Sequence, residues 1–277
     1  MRREVRSTRR LAASAAAVGI AALLAALTAS SSAPAATRSA GSAQAGHTCL
    51  VMTGSGDPAF VKNFNPYTGT GLPSGAFVRG AFYEPLIITS VAGGGHTYPW
   101  LAQTWKWSNG NKTLTLNLVK NAKWSDGKPL TSLDVVYSLT AGLQDKSMDM
   151  IGLTSPDTNI SSIHSAGPYK VVIKLKTVDS QFIAAQLNQQ FVVPQHIWSK
   201  VASPATFTNS NPVGSGPFSV VGRFTTQDYV FNKNPHYWLA GSPKIPCLEY
   251  TQAASNDSAL LAIQSGQVDW THNFVPG

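Results

Sequence analysis

The sequence predicts two α/β units, one built from the middle of the chain and one built from both of its ends. Three observations support this fold class. Strands that alternate polar and apolar residues dominate residues 86–176, with turn-forming residues between them, as in hairpins. Helix-capping patterns occur at Thr131 and near Ser255. A β-α-β pattern over 248–270 indicates parallel pairing near the C-terminal end.

The first 35 residues have the composition of an export signal. Five arginines lie among the first ten residues, and an uncharged, alanine-rich stretch, Leu11–Thr28, follows them. Ala33-Pro34-Ala35 supplies a small-residue cleavage site, so we expect a signal peptide over residues 1–35 and an exported protein. A membrane anchor is the alternative, because about 18 uncharged residues can just cross a bilayer. Arg9-Arg10 leaves the general and twin-arginine export routes both open.

Half of the net positive charge belongs to this signal. Five of the 21 basic residues and one of the 13 acidic residues lie within 1–35, which leaves 16 basic and 12 acidic residues and a net charge of +4. The remaining lysines are scattered singly through predicted strands and do not cluster as in a nucleic-acid-binding surface. We therefore expect no nucleic-acid partner. Residues 36–48 are small and polar, as in a flexible leader.

The two cysteines, Cys49 and Cys247, each begin a short predicted strand. An exported protein meets oxidising surroundings, which favours a disulfide over two free thiols. If the two strands are neighbours in one sheet, a disulfide could join them, provided that the Cα atoms lie within about 7 Å. Lipidation of Cys49 is the alternative, but the residues before it lack the apolar, small-residue pattern of a lipoprotein site.

The remaining elements follow from local patterns. Residues 112–118 alternate polar and apolar side chains strictly after an Asn-Gly-Asn turn, so they should form a half-buried strand. Thr131 and Asp134 have the spacing of a capping box, and Gly266 should end the last helix. We expect residues 144–165 to be loose. Helices are predicted at 74–83, 132–143, 180–189, 194–201 and 255–265, and the other strands at 49–52, 86–89, 100–107, 169–176, 218–222, 227–231, 248–251 and 267–270.

Catalytic motifs are weak. The six histidines are far apart in sequence and form no i, i+4 pair, so no metal or other cofactor is predicted. Ser125 and Lys128 match S-x-x-K by letters, but Gly127 and Pro129 force a turn where that motif needs a helix. Gly214-Ser215-Gly216 is an incomplete nucleophile elbow.

Acidic and aromatic residues do not define an active site either. Only Glu84 and Glu249 remain as glutamates beyond the signal, and no carboxylate pair stands out. The seven tryptophans could stack on ligands or fill cores; Trp105 and Trp107, two residues apart on one strand, should pack. We therefore predict that the protein is not an enzyme.

Four segments, taken together, resemble the family 5 extracellular solute-binding proteins, which serve dipeptide, oligopeptide, nickel and some oligosaccharide ABC importers. Their order and spacing cover nearly all of residues 49–277. The resemblance implies a type II periplasmic-binding fold, an α/β architecture of two lobes with mixed sheets. The segments are Phe82–Leu86 with Asn65-Pro66 upstream, Trp105–Leu139, Asn211–Phe218 with Asn232–Trp238, and Leu260–Trp270.

The resemblance also implies a domain plan. Domain I should consist of residues 49–85 and 207–277, with domain II, residues 86–206, inserted between them. Relatives are about twice as long, so we expect that the C-terminal half of the family architecture is missing, together with most charged ligand-binding residues.

The resemblance further implies a ligand site and partners. The loop Gly54-Ser55-Gly56-Asp57 lies where relatives line the cleft, although a plain turn is the alternative, and Trp270 would suit a sugar face. The expected partners are a peptide or oligosaccharide and an ABC permease, with the protein as a monomer. Two other functions stay open, a secreted hydrolase of peptides or polysaccharide and a non-functional fragment of a binding protein.

Overall fold

The computed structural model describes residues 48–55, 59–68, 80–90, 94–150, 152–153 and 158–272. The predicted signal peptide, residues 36–47 of the predicted leader, and Gly56 and Asp57 lie outside these residues. Of the helix predicted over 74–83, only 80–82 are described as helical. Within the described residues, no helix combines the length and the apolar character needed to cross a membrane.

The described strands form one five-stranded, one four-stranded and one two-stranded sheet. They are β1 (Leu50–Ser55), β2 (Ile87–Ser90), β3 (His96–Pro99), β4 (Ala102–Ser108), β5 (Thr113–Leu118), β6 (Ile160–Ser165), β7 (Lys170–Leu175), β8 (Val220–Phe224), β9 (Asp228–Asn232), β10 (Cys247–Ala253) and β11 (Trp270–His272).

The five-stranded sheet has the order β11-β1-β10-β9-β8. Strand β1 lies in parallel between β10 and β11, with Leu50 opposite Leu248 and Met52 opposite Trp270. Strands β8, β9 and β10 are antiparallel neighbours. The predicted β-α-β unit is therefore present, but its two strands are not adjacent, because β1 is inserted between them.

A disulfide joins β1 and β10, which are neighbouring strands of this sheet. Cys49 directly precedes β1 and Cys247 opens β10, and their sulfur atoms lie 1.97 Å apart with a Cα–Cα distance of 4.6 Å. The two strands that begin at these cysteines are neighbours, which was the condition for the link. The disulfide thus connects residues that are 198 positions apart in sequence.

The four-stranded sheet is antiparallel throughout, in the order β4-β5-β7-β6. Strand β5 shows the predicted alternation, because Leu114, Leu116 and Leu118 are buried while the residues between them are half-buried. Strand β6 lies where we predicted a loose segment. Its sequence ISSIHS lacks strict alternation and it pairs only with β7, so no local pattern reveals it.

Helix α1 (Ser132–Gln144) packs against β6 and β7 and begins at the predicted capping box. The Leu133 amide donates to Thr131 Oγ1 over 3.3 Å, and Asp134 Oδ2 accepts from the Thr131 amide at 2.8 Å. The other helices are short. They are a 3-10 helix (Lys146–Met148), a π-helix (Phe182–Leu187), α2 (Gln195–Trp198) and α3 (Asn256–Gln264), which begins at a second capping box at Ser255.

Two hydrophobic cores accompany the two larger sheets. The four-stranded core is mainly aliphatic and contains the buried Trp124, whereas the five-stranded core is rich in aromatic rings such as Phe231 and Tyr250. Met148, Val193 and Trp198 lie in the five-stranded core, although they come from the segment 86–206 that we predicted to be inserted.

Candidate functional site

The carboxyl ends of three parallel strands, β1, β10 and β11, meet at one edge of the five-stranded sheet. Gly54, near the end of β1, is at this edge and is in register with His272, the last residue of β11. Trp270, the first residue of β11, is in register with Met52, two positions before Gly54. Ser55 ends β1 and its backbone pairs with Ala253. Gly56 and Asp57, the other two predicted residues, lie outside the described residues. In sheets with parallel strands, ligand sites commonly lie at this edge.

Trp270 lies on the same face of the sheet as the aromatic core. It is in register with Met52, which is in register with Tyr250, and partners in a ladder point to the same face. Both of those partners are buried, whereas Trp270 is 38 % exposed at the margin of the sheet. The indole is therefore on the core-facing side of the sheet and keeps an accessible surface.

Asp269 holds the chain in place immediately before Trp270. Its backbone amide donates to the Val51 carbonyl over 2.7 Å, and its Oδ2 accepts from the Val51 amide over 2.8 Å. On β1, the Thr53 hydroxyl donates to the Thr251 carbonyl of β10 over 2.7 Å. These bonds fix β1 between its two neighbours and so determine where Trp270 lies.

A second polar feature, which sequence reasoning did not single out as a site, is the buried side chain of Glu84. This glutamate is 2 % exposed. Its Oε1 accepts from Trp100 Nε1 at 2.9 Å and from the Tyr237 hydroxyl at 2.9 Å, and its Oε2 accepts from Trp238 Nε1 at 3.1 Å. The Trp100 and Trp238 rings meet edge to face, with centroids 5.4 Å apart. We call Glu84, Trp100, Tyr237 and Trp238 the aromatic cage.

Burial dominates the electrostatics of the aromatic cage. Desolvation raises the pKa of Glu84 from 4.5 to about 7, against the opposing effect of the Tyr237, Trp100 and Trp238 hydrogen bonds. Burial and the nearby Glu84 carboxylate also raise the pKa of the Tyr237 phenol. Within the described residues, no lysine, arginine or histidine forms an ion pair with Glu84. A glutamate flanked by aromatic residues in Phe82–Leu86 was the available sequence signal.

The serine motif lies in a tight turn, as predicted. The Trp124 amide donates to the Lys128 carbonyl over 2.8 Å, and Gly127 has a φ of +85°. The Asp126 Oδ2 lies 2.9 Å from His196 Nε2 and 3.7 Å from Lys128 Nζ. Although partial burial acts against it, the Lys128 amide and the His196 side chain hold the pKa of Asp126 below its usual value. The turn lacks the geometry of a nucleophile activated by a lysine.

Two of the tryptophans pack against a core, as predicted. Trp105 and Trp107 are half-buried against the four-stranded core, which confirms that they pack. Within the described residues, no group of three or more histidine, cysteine, aspartate or glutamate side chains could hold a metal ion.

Comparisons with known proteins identify the family of this chain. Residues 96–277 match the family model described as bacterial extracellular solute-binding proteins, family 5 Middle. The chain is similar to the periplasmic oligopeptide-binding protein OppA of Salmonella typhimurium, with 28 % identity over 274 residues that cover 92 % of this chain and 49 % of that protein. It is also similar to OppA of Escherichia coli, with 26 % identity over 236 residues, which cover 78 % of this chain and 42 % of that protein.

Solved structures extend the comparison to the fold. The periplasmic oligopeptide-binding protein of Thermotoga maritima with bound mannohexaose has a TM-score of 0.73 and 26 % identity, covering 83 % of this chain and 42 % of that chain. AppA of Bacillus subtilis in complex with a nonapeptide has a TM-score of 0.68 and 24 % identity, over 81 % of this chain and 44 % of that one. This chain thus spans two-fifths to one-half of the length of these relatives.

These comparisons confirm the predicted fold class, an α/β periplasmic-binding-protein architecture. They also confirm that the relatives are binding proteins and not enzymes. With a family model that matches residues 96–277, the chain belongs to the bacterial extracellular solute-binding proteins of family 5.

Proposed function

We propose that this protein is the extracytoplasmic binding component of an ABC importer and that it captures a peptide or an oligosaccharide for delivery to a membrane permease. One observation carries the proposal. In a chain of this binding-protein family, Gly54 lies where the carboxyl ends of parallel strands meet, and the half-exposed Trp270 opens the neighbouring strand, in register with Met52. Capture would need no covalent chemistry, only burial of the ligand between lobes.

The two larger sheets and their separate cores support an organisation in two lobes. In this proposal domain I comprises residues 49–85 and 207–277, and domain II comprises 86–206. Because Val193 and Trp198 lie in the five-stranded core, the end of the inserted segment would pack against domain I. Closure of the lobes about the connecting segments would enclose the ligand by a hinge motion.

Gly54, Ser55, Gly56, Asp57 and Trp270 are the proposed ligand-binding residues. Backbone groups of the 54–57 loop would donate to polar groups of the ligand, and the Trp270 indole would stack on a sugar ring or an apolar peptide side chain. Both ligand classes have support among relatives, because two are named as oligopeptide-binding proteins and one was solved with mannohexaose.

Export completes the proposal. Residues 1–35 would direct the chain out of the cytoplasm and would then be removed. The remaining protein would be a monomer at the cell-envelope exterior or in the periplasm. The link between Cys49 and Cys247 suits such an oxidising location, and E. coli OppA is named as periplasmic.

Replacing Trp270 tests the proposal. We expect a Trp270→Ala change to weaken binding of mannohexaose or of a nonapeptide by roughly tenfold or more, since loss of one stacked aromatic ring costs about 1–3 kcal/mol. Trp270→Phe should retain most of the affinity. Trp107→Phe, at a half-buried position on the four-stranded sheet, is the matched control. Equal affinities for all four proteins, measured by isothermal titration, would contradict the assignment of Trp270.

A further inference from the structure

Glu84 lies where the chain passes from one core to the other. Ala81 and Phe82, just before it, are buried in the five-stranded core, whereas Leu86 and Ile87, just after it, are buried in the four-stranded core. The Glu84 carbonyl accepts from the Val192 amide at 3.3 Å, where the chain returns toward the five-stranded core. The side chain is therefore at the junction of the two units.

The other partners in the aromatic cage reach this junction from both sides. Tyr237 and Trp238 belong to residues 233–246, which link β9 and β10 of the five-stranded sheet and which we call the strap. Trp238 packs against the four-stranded core, and its carbonyl accepts from Asn121 Nδ2 at 2.8 Å. Trp100 precedes β4 of the four-stranded sheet. One carboxyl group thus binds a segment of each unit.

Within the part of the chain that the structure describes, no cation pairs with the carboxyl group in the cage. Desolvation outweighs the Tyr237, Trp100, Trp238 and Ser215 hydrogen bonds, which favour the ionised form and lower the pKa of Glu84. Protonation removes the buried charge, and the carboxyl oxygens can still accept hydrogen bonds from the cage. Ionisation leaves a buried charge without an opposite charge, which favours an arrangement in which the carboxylate reaches water.

We propose that Glu84 is a positioning residue for ligand capture, because its carboxyl group pins the strap against Trp100 and so fixes the angle between the two lobes. This inference rests on the proposed two-lobed binding function. Loss of the Glu84 proton favours opening of the cage, because the buried carboxylate is hydrated only when the strap moves away, so the spread of lobe orientations increases with pH.

The other titratable groups near the cage point to Glu84 as the origin of such a pH effect. On its own segment, the Tyr83 hydroxyl accepts from Asn209 Nδ2 and is engaged away from the cage. On the strap, Lys233 Nζ donates to the Pro243 carbonyl, and His236 lies against Gly127. Tyr237 is the remaining titratable partner, and burial together with Glu84 raises the pKa of its phenol.

A spectroscopic titration tests the pin without any ligand. Trp100 and Trp238 donate directly to the carboxyl group, so their fluorescence should change as Glu84 loses its proton, with a midpoint near 7. Glu84→Gln should abolish the transition. Tyr237→Phe removes one donor that lowers the pKa, so the midpoint should rise. Glu249→Gln is the control, because Glu249 forms an ion pair with Arg223 and is not part of the cage; this change should leave the midpoint unchanged.

Distances between two spin labels test the effect on the lobes. Lys106 on the four-stranded sheet and Thr226 between β8 and β9 are exposed, and both native cysteines are in the disulfide, so cysteines placed at 106 and 226 can be labelled selectively. We expect one narrow distance distribution at pH 5.5 that broadens at pH 8.5. In Glu84→Gln the distance distribution should stay narrow at both pH values. In Tyr237→Phe the distribution should broaden only at a higher pH than in the parent protein.

A narrow, pH-independent distribution in the parent protein, or a fluorescence transition that persists in Glu84→Gln, would overturn the proposal. Circular dichroism verifies that each variant is folded, and Tyr237→Phe supplies the test if Glu84→Gln does not fold. Because neither readout uses a ligand, failure of mannohexaose and peptides to bind would count against the proposed function and not against the pin.

Discussion

The two larger sheets are built from different ranges of sequence. In the four-stranded sheet, all strands lie within about 75 residues, and β4 with β5 and β6 with β7 are antiparallel pairs of strands that are consecutive in the sequence. In the five-stranded sheet, β1 pairs only with β10 and β11, which lie some 200 residues later. The first sheet therefore depends on local turns and alternation, whereas the second depends on contacts that close a long loop. The difference predicts which changes should destabilise each sheet.

The largest expected effect is loss of the disulfide, which should affect the five-stranded sheet. Changing Cys49 and Cys247 together to alanine should lower the free energy of unfolding by about 2–5 kcal/mol, because the link closes a loop of 198 residues. Urea unfolding measures the loss. Hydrogen exchange should show that amides of β1 and β10 lose more protection than amides of β5 and β7. Equal loss in both sheets would contradict the distinction.

The next effect concerns the junction and depends on pH. The folded-state pKa of Glu84, about 7, lies above its ordinary value of 4.5, so the folded state binds the proton more tightly. The resulting stabilisation is fully present below pH 4.5 and is lost as the pH rises through 7. It should amount to roughly 3 kcal/mol at about 1.4 kcal/mol for each pKa unit.

Thermal and urea unfolding between pH 4.5 and 8 check this prediction. The parent protein should lose more stability over that range than Glu84→Gln, whose side chain does not titrate. Parallel curves for the two proteins would show that Glu84 does not carry the effect.

A third effect tests the packing between residues 80–82 and the loop that contains Gly214. A Cβ atom at Gly214 would collide with the Phe82 carbonyl oxygen. Gly214→Ala should therefore cost about 1–3 kcal/mol. Gly80→Ala is the matched control, because a Cβ atom there would meet nothing within 4 Å, and it should change stability by less than about 0.5 kcal/mol. Similar midpoints in urea for the two variants would contradict the close approach.

The smallest effect belongs to a local signal in the four-stranded unit. Thr131→Ala removes the side chain that caps α1 and should cost about 1 kcal/mol. Thr131→Ser keeps the hydroxyl acceptor and should cost much less. Circular dichroism during urea unfolding compares the two, and an equal loss would mean that the methyl group, not the cap, matters.

The same contrast explains how much could be predicted from the sequence. The strict alternation of β5, the capping boxes at Thr131 and Ser255, and the strands that begin at the two cysteines are local patterns, and the structure contains all of them. Strand β6 and the insertion of β1 between β10 and β11 have no local pattern, because pairing partners decide them.

The candidate sites follow the same rule. Trp270 and Gly54 were identified by family resemblance, and their register across β1 and β11 could be seen only in the structure. The aromatic cage was missed because Glu84 and Tyr237 are 153 positions apart, although each stands in a segment that carries the resemblance. Composition identifies Glu84 only as one of two glutamates beyond the predicted signal, and its burial shows why it is unusual.

Isothermal titration of the purified protein with a peptide panel and with mannohexaose tests the central claim most directly, provided that the ligands are recovered and analysed afterwards. The account predicts saturable binding of one ligand class, with every ligand molecule recovered intact and with affinity that falls in Trp270→Ala. Cleavage of the ligand, or the absence of binding to both classes, would contradict the assignment of this protein as a solute receptor.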